Sequence, residues 1–240
     1  YYTVSFDGEG EAAVAARIDL TNIAKTNLTN VVLEIPGKSL RVINAVQGFT
    51  GGYPYLTPME TPGVRSNYPD YNYGYYSLEP EQVSTPSGFL VTLRLANSLS
   101  QQETTTLLLY YKVSGYTKNF LGLRSFAFQT IKTDYDVATV RVAVNAQEPF
   151  KIKGTRASTN YLPNVSSLEA GKTYSGVADS NLSQFSSIVT TQPGFVKTTQ
   201  SLDPGENFVV KGSYAESVLL LYLTDIVKWL LLIGAGVILF

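Results

Sequence analysis

The 240-residue chain contains no cysteine and no histidine, and it has a single tryptophan and a single methionine. These absences exclude disulfides, thiol chemistry, zinc sites built from Cys and His, haem ligation by either residue, and catalytic triads in which His is the base. A secreted form of the chain must therefore gain its stability from packing alone. The same absences remove many common catalytic sites, and we predict that the protein is not an enzyme.

Charge is also scarce, since Asp, Glu, Lys and Arg make up 15 % of the residues and the formal net charge is −1. Binding to nucleic acid normally needs a basic patch that displaces counterions, and no run of Lys or Arg occurs, so we predict no nucleic-acid partner. The 19 acidic residues offer no pattern that selects a catalytic pair. No segment matches the EF-hand pattern. We therefore predict no catalytic, cofactor-binding or metal-binding residues.

The abundant residues favour β-structure, with 17 Tyr and 11 Phe in the chain. Apolar residues alternate with period 2, which predicts half-buried strands, in the segments 14–20, 31–35, 89–95 and 140–144. The denser run from Leu107 to Val113 predicts a central strand buried on both faces. Between Leu121 and Phe128 the apolar parity switches, which predicts a β-bulge near Arg124.

Turn residues separate these strands, and no helical period is found before residue 215. The pattern predicts an all-β fold, namely an Ig-like β-sandwich, in residues 1–148. A Tyr-, Pro- and Gly-rich loop at 51–86 interrupts it. Residues 149–214 are predicted to form a second, smaller β domain or, alternatively, an extension of the sandwich.

The strongest signal is the hydrophobic segment at 217–240, predicted to be a transmembrane anchor. As a helix, its 24 residues would extend about 36 Å, enough to cross a hydrocarbon core of about 30 Å. Asp225 and Lys228 interrupt it, and charges are costly inside a bilayer.

Three interpretations of these charges stay open. Asp225 and Lys228 can pair on a helix face that also carries Leu232 and Gly236, and this face would contact another membrane helix. Alternatively, Asp225, Lys228 and Trp229 mark the membrane interface, and the span begins near Leu230. The third interpretation is a soluble core helix or an assembly interface.

Three N-glycosylation sequons begin at Asn27, Asn164 and Asn181, all in predicted loops. The sequence opens at Tyr1 directly into a strand-like run, which fits either a segment boundary or a mature N-terminus left after removal of a signal peptide. We therefore expect the β-rich part to lie outside the cytoplasm, at the cell surface or in a periplasm.

Tyrosines are frequent in the predicted loop at 51–86. They combine large contact area with a low entropic cost of ordering, which suits recognition of proteins or glycans. The candidate recognition residues are Tyr53, Tyr55, Tyr68, Tyr71, Tyr73, Tyr75 and Tyr76. The alternative is that these rings cover one end of the sandwich or pack against a neighbouring copy.

Two fragments carry a resemblance. Leu202-Asp203-Pro204-Gly205-Glu206 precedes a strand, and Ile18-Asp19-Leu20-Thr21-Asn22 is followed by a second strand from Leu28. Both resemble the closing and opening strands of Ig-like modules in bacterial and archaeal cell-surface proteins. The resemblance covers about a third of the chain in pieces. It implies a structural, adhesive or scaffolding role and transfers no catalytic residue.

The sequence thus predicts a non-catalytic, membrane-anchored cell-surface protein whose partners are the membrane and identical or different protein subunits. One alternative is an accessory subunit of a larger membrane complex, docked through its transmembrane helix. The other is a carbohydrate-binding module that uses the Tyr-rich loop to bind glycans.

Overall fold

The computed structural model describes residues 1–50, 73–153 and 194–239, with backbone alone at 49, 50, 73–75, 224 and 230–239. Fifteen β-strands and one α-helix lie in these ranges, so the predicted all-β class is confirmed. The strands are β1 (Tyr2–Phe6), β2 (Ala12–Thr21), β3 (Leu28–Pro36), β4 (Ser39–Thr50), β5 (Tyr73–Ser77), β6 (Pro80–Thr85), β7 (Gly88–Leu99), β8 (Thr104–Ser114), β9 (Thr117–Phe120), β10 (Leu123–Gln129), β11 (Lys132–Thr133), β12 (Val137–Ala146), β13 (Lys151–Lys153), β14 (Phe195–Leu202) and β15 (Val209–Ala215). The helix α1 is Val218–Leu239.

The strands form three sheets. The first sheet has seven strands in the order β14-β12-β1-β2-β8-β4-β5. The second sheet has the order β13-β15-β10-β9, and the third has the order β11-β3-β7-β6. Neighbouring strands are antiparallel, except that β1 runs parallel to β12. Side chains from all three sheets, such as Val4, Phe128 and Leu33, belong to one contiguous apolar core.

The strands predicted from period-2 alternation are confirmed as β2, β3, β7 and β12. The dense run is the central part of β8, which pairs with β2 on one side and β4 on the other. One face of β8 places Leu107, Leu109 and Tyr111 in the main core. The other face places Tyr110 in a small second cluster with Ala13, which explains why the run is apolar on both faces.

The predicted β-bulge near Arg124 is wrong. β10 pairs with both β15 and β9 in continuous register across Arg124. The apolar parity switches because Phe126 and Phe128 face the core, whereas half-exposed Leu123 lies on the opposite face of the strand. The register shifts of the third and first sheets lie elsewhere, between Leu28 and Asn30 and between Val42 and Asn44.

Strands from both sides of residue 148 share two of the sheets. β14 pairs with β12 in the first sheet, and β15 pairs with β10 in the second. Phe195 of β14 and Val210 of β15 are buried in the same core as Phe126. The described strands after residue 148 are therefore packed with the strands that precede it.

Two buried amides hold strands and loops together. Gln47 of β4 reaches β7, where its side chain donates to the carbonyl of Asn97 at 2.9 Å and accepts from the Asn97 amide at 3.1 Å. Asn22 donates to the carbonyls of Thr26 and Leu99 at 2.9 and 2.8 Å. Gln47 thereby links the first sheet to the third, and Asn22 fixes the loop that follows β2.

The segment expected to be a C-terminal helix is helical over Val218–Leu239, directly after β15. Ser217 caps its start, because its hydroxyl oxygen accepts a hydrogen bond from the Leu219 amide at 3.2 Å. Judged on the residues that the structure describes, no helix is both long enough and apolar enough to cross a membrane.

Candidate functional site at the base of the helix

One end of the second sheet brings three features together. β15 ends at Ala215 and leads into α1, and Lys151 of the edge strand β13 lies opposite Ala215. At the same end, Phe120 pairs with Leu123 next to the turn that joins β9 to β10. The register therefore places the helix start, Lys151 and the β9–β10 turn at a common edge of the domain.

Lys153 of β13 ties the helix to the sheet. Its Nζ donates to Oδ2 of Asp225 at 2.6 Å and to the carbonyl of Leu221 at 3.4 Å. The same ammonium lies 4.8 Å from the centre of the Tyr222 ring, within cation–π range. Leu221 is 3 % exposed, and Ala215 of the neighbouring β15 is fully buried. Leu221 and Asp225, one turn apart, thus hold the first turns of α1 to the domain.

The remaining surface of these first turns is apolar and exposed. Helices at the surface of soluble proteins usually direct polar residues outward. Here the exposed apolar side chains are Val218, Leu219, Tyr222, Leu223, Ile226, Val227 and Trp229. The polar contact through Asp225 faces the sheet, so the usual polarity of a surface helix is reversed.

A second exposed apolar feature lies beside the helix, at the tip of the β9–β10 hairpin. Phe120 is 74 % exposed and Leu121 is 78 % exposed. Leu121 has φ of 50° and Gly122 has φ of 84°, and the Gly122 amide donates to Oδ1 of Asn119 at 3.2 Å. A methyl group added at Gly122 would lie 3.5 Å from Cδ1 of Leu220. The tip is therefore an ordered turn that presents two apolar side chains next to α1.

The strands of the second sheet are exclusively basic in their charged residues. β9, β10, β13 and β15 contain no Asp or Glu. Their cationic residues are Lys118, Arg124, Lys151, Lys153 and Lys211. Since the whole chain has a net charge of −1, the basic character is a local property of this sheet.

The structure places the predicted helix residues as follows. Asp225 forms an ion pair with Lys153 of β13, and Lys228 is exposed on α1. Leu232 and Gly236 lie within the helical backbone, in the part where side chains are not described. The face proposed for contact with another helix is thus described only in its first half, where Asp225 faces the domain's own sheet.

The other predicted sites fall mostly outside the described residues. This holds for Tyr53, Tyr55, Tyr68, Tyr71, Asn164 and Asn181. The described part of the predicted loop 51–86 contains two strands, β5 and β6. Tyr73, Tyr75 and Tyr76 therefore lie on the edge strand β5 and not in a loop, and the side chain of Tyr76 is 37 % exposed. Asn27 is exposed, immediately before β3, so its sequon is accessible.

Sequence reasoning missed Lys153, Phe120 and Leu121. The hairpin tip could have been found from the sequence. Gly122 is typical of a turn, and the apolar pair directly before it indicates that the turn carries apolar side chains. Lys153 has no comparable signal, since its contact with Asp225 spans 72 positions in the chain. No protein-family model matches the chain, and a search of curated proteins found no match either.

Proposed function

We propose that the chain is a non-catalytic cell-surface protein whose β-rich body, of Ig-like sandwich type, is held at a membrane by its C-terminal hydrophobic segment. Its role is structural or adhesive, and its body lies outside the cytoplasm. The observation that carries this proposal is the exposed apolar surface of α1, which continues in sequence into Leu230–Phe240 without a charged residue.

The polar groups near the helix base fit a membrane interface. Trp229 is 66 % exposed and follows Lys228, and both residue types prefer the boundary between headgroups and hydrocarbon. The ion pair with Lys153 gives Asp225 a partner within the chain. Asp225 therefore does not require a second membrane helix, which weakens the case for an accessory subunit docked through this face.

The sheet edges support a role in lateral association. β6 forms an edge of the third sheet, and its Val83 is 63 % exposed. β5 and β14 form the two edges of the first sheet among the described strands. Edge strands offer backbone groups for pairing with another chain, which is one route to a surface layer or filament.

Membrane anchoring is tested on the full chain by flotation with lipid vesicles and by extraction with alkaline carbonate. The wild-type chain is expected to float and to resist carbonate. A Leu231→Lys, Val237→Lys double variant is expected to be released, because each charge costs about 2.5–3.5 kcal/mol near the centre of a bilayer.

The matched control is Ile23→Lys with Val83→Lys, which alters two apolar residues that are 74 % and 63 % exposed on the β body. This control is expected to float like the wild type. Complete carbonate extraction of the wild-type chain would contradict the proposal. The structural role is tested separately by native electrophoresis in mild detergent, where a ladder of this one chain is expected and a single monomer band would argue against it.

A further inference from the structure

The β9–β10 hairpin tip and the adjacent outer face of the second sheet form a second contact with the membrane, beside the helix. We propose that Phe120 and Leu121 insert at the bilayer interface while Lys118 and Lys151 bind anionic lipid headgroups. This inference rests on the proposed membrane anchoring, and it adds that the β body lies against the bilayer instead of extending away from it.

The strand register places the lysines on one face. Lys118 pairs with Ser125, Ser125 with Ser213, and Ser213 with Lys153, so these four residues form one row across the second sheet. Side chains of directly paired residues point to the same face. The residues that follow the two serines along β10 and β15, Phe126 and Tyr214, are buried in the core and so point to the opposite face. The row therefore lies on the face turned away from the core.

Lys151 lies in the next row towards the hairpin tip. It is opposite Ala215, two positions along β13 from Lys153, and it is exposed. Phe120 is likewise two positions beyond Lys118 on β9. The apolar tip thus lies at the end of the sheet, with Lys151 level with Phe120 and Lys118 one row behind. This order matches a bilayer interface, where apolar groups lie deepest and cations meet the headgroups.

The charged groups around this surface leave Lys118 and Lys151 available to bind an anionic partner. Within the described part of the chain, neither Lys118 nor Lys151 forms an ion pair, whereas Lys153 pairs with Asp225. The carboxylate nearest in sequence to the end of β15 is the exposed Glu216. On α1 the other described charge is Lys228, which adds to the positive field. A surface of this sign favours an anionic partner.

The proximity of the tip to the helix favours lipid as that partner. The Gly122 position lies against Leu220, and the exposed surfaces of Val218 and Leu219 are on the first turn of the same helix. If α1 leads the chain into a bilayer, the tip is held at the same membrane. An acidic protein would match the lysines but would leave Phe120 and Leu121 without an apolar environment.

The experiment uses single fluorescent labels, which the lack of native cysteine makes straightforward. Leu121→Cys carries an environment-sensitive dye in the full-length chain reconstituted into vesicles of phosphatidylcholine, with or without phosphatidylglycerol. Phe120→Cys is a second site in case the first variant folds poorly. Val83→Cys, on β6 of the third sheet, is the control label, since Val83 is also well exposed.

We expect the label at residue 121 or 120 to shift to the blue and to be quenched by lipid-borne quenchers in anionic vesicles, while the label at residue 83 stays in water. Replacing Lys118 and Lys151 with Gln is expected to lower the ratio of inserted to free tip roughly 25-fold, at about fivefold per lysine. The matched control, Lys25→Gln with Lys197→Gln, removes two exposed lysines elsewhere and is expected to leave the ratio unchanged.

The outcomes separate the two proposals. A chain that floats with vesicles but keeps its tip label in water overturns the second contact and leaves the anchoring proposal intact. A chain that does not float overturns both. Equal effects of the two lysine double variants, or equal shifts at residues 121 and 83, also overturn the specific contact. Binding of the tip to an acidic protein in the absence of lipid would assign this surface to a different partner.

Discussion

Two tyrosines of the core, Tyr116 and Tyr111, differ in whether their buried hydroxyl groups form hydrogen bonds. The hydroxyl of Tyr116 donates to the carbonyl of Pro36 and also lies 3.3 Å from the carbonyl of Gln129. The hydroxyl of Tyr111 is buried and, among the described residues, has no hydrogen-bond partner. A buried hydroxyl without a partner loses its hydration without compensation, so the two residues should respond oppositely to loss of the oxygen.

We expect Tyr116→Phe to lower the free energy of unfolding by about 1–2 kcal/mol, because buried carbonyls lose their donor. Tyr111→Phe should leave the free energy of unfolding unchanged or raise it by up to about 1 kcal/mol, since it removes an uncompensated polar group. Urea denaturation of the two variants and the wild type measures both. A larger loss for Tyr111→Phe than for Tyr116→Phe would contradict this assignment.

Glu34 of β3 connects β11 with the turn between β6 and β7. Its Oε1 accepts from the Ser87 hydroxyl at 2.8 Å and from Nζ of Lys132 at 3.0 Å. The Ser87 hydrogen bond and then the Lys132 contacts hold the pKa of this carboxyl below its usual value. A carboxyl with a lower pKa in the folded state stabilises the fold above its unfolded-state pKa, and that contribution is lost as the pH falls through the folded-state value.

Glu34→Gln is therefore expected to be less stable than the wild type at neutral pH. The difference should shrink as the pH falls from about 4.3, the ordinary pKa of Glu, through the lower pKa of the folded state, because the wild-type carboxylate is protonated over that range. Thermal unfolding from neutral to acidic pH measures the difference. Glu81→Gln on β6 is the control for loss of an exposed carboxylate in the same sheet. A difference that stays constant with pH would contradict the assignment.

At the scale of elements, the attachment of α1 depends on a few contacts. Leu221 packs as a buried side chain, and Lys153 binds both Asp225 and the Leu221 carbonyl. The side chains of Lys153 and Asp225 are 34 % and 47 % exposed, so solvent screens this pair. The ion pair is therefore expected to set the position of the helix base more than the stability of the domain.

Lys153→Met and Asp225→Asn should each speed amide hydrogen exchange in the first turns of α1, and the double variant should add little to either single change. Their coupling in the free energy of unfolding should be small, because solvent screens both charges. The matched control is Arg17→Met with Asp19→Asn, an exposed pair on β2 at 3.0 Å. An equal effect of the control on exchange in the helix would show that the Lys153 contact has no special role.

Individual strands were largely predictable, because apolar alternation is a local pattern set by one buried face. The hairpin near Arg124 was not predicted correctly. There the apolar residues Leu121 and Leu123 lie outside the core, and period-2 reasoning assumes that apolar residues are buried. The wrong bulge prediction therefore falls beside the exposed apolar tip. There, apolar side chains face solvent, although the period-2 pattern assumes that they are buried.

At the scale of the whole molecule, the shared core predicts that the three sheets unfold together, as one cooperative unit. Leu33→Ala in the third sheet and Phe128→Ala in the second should each lower the free energy of unfolding by about 2–5 kcal/mol. Both should shift one common unfolding transition, because both residues are fully buried in the cluster that all three sheets share.

Denaturation followed by far-ultraviolet circular dichroism and by tyrosine fluorescence tests whether the three sheets unfold in one transition. Ile23→Ala is the control, since Ile23 is 74 % exposed and its loss should change stability by less than about 0.5 kcal/mol. Two separate transitions, one sensitive only to Leu33→Ala and the other only to Phe128→Ala, would show that the sheets unfold independently.

The sequence by itself determined the all-β class, most strand positions, the helical C-terminal segment and the absence of any chemistry that needs Cys or His. These follow from composition and from periods of a few residues. Only the tertiary structure decided the pairing of β14 with β12 and of β15 with β10, the partner of Asp225, and the position of the hairpin tip beside α1. Each depends on contacts between residues far apart in the chain, which local patterns do not encode.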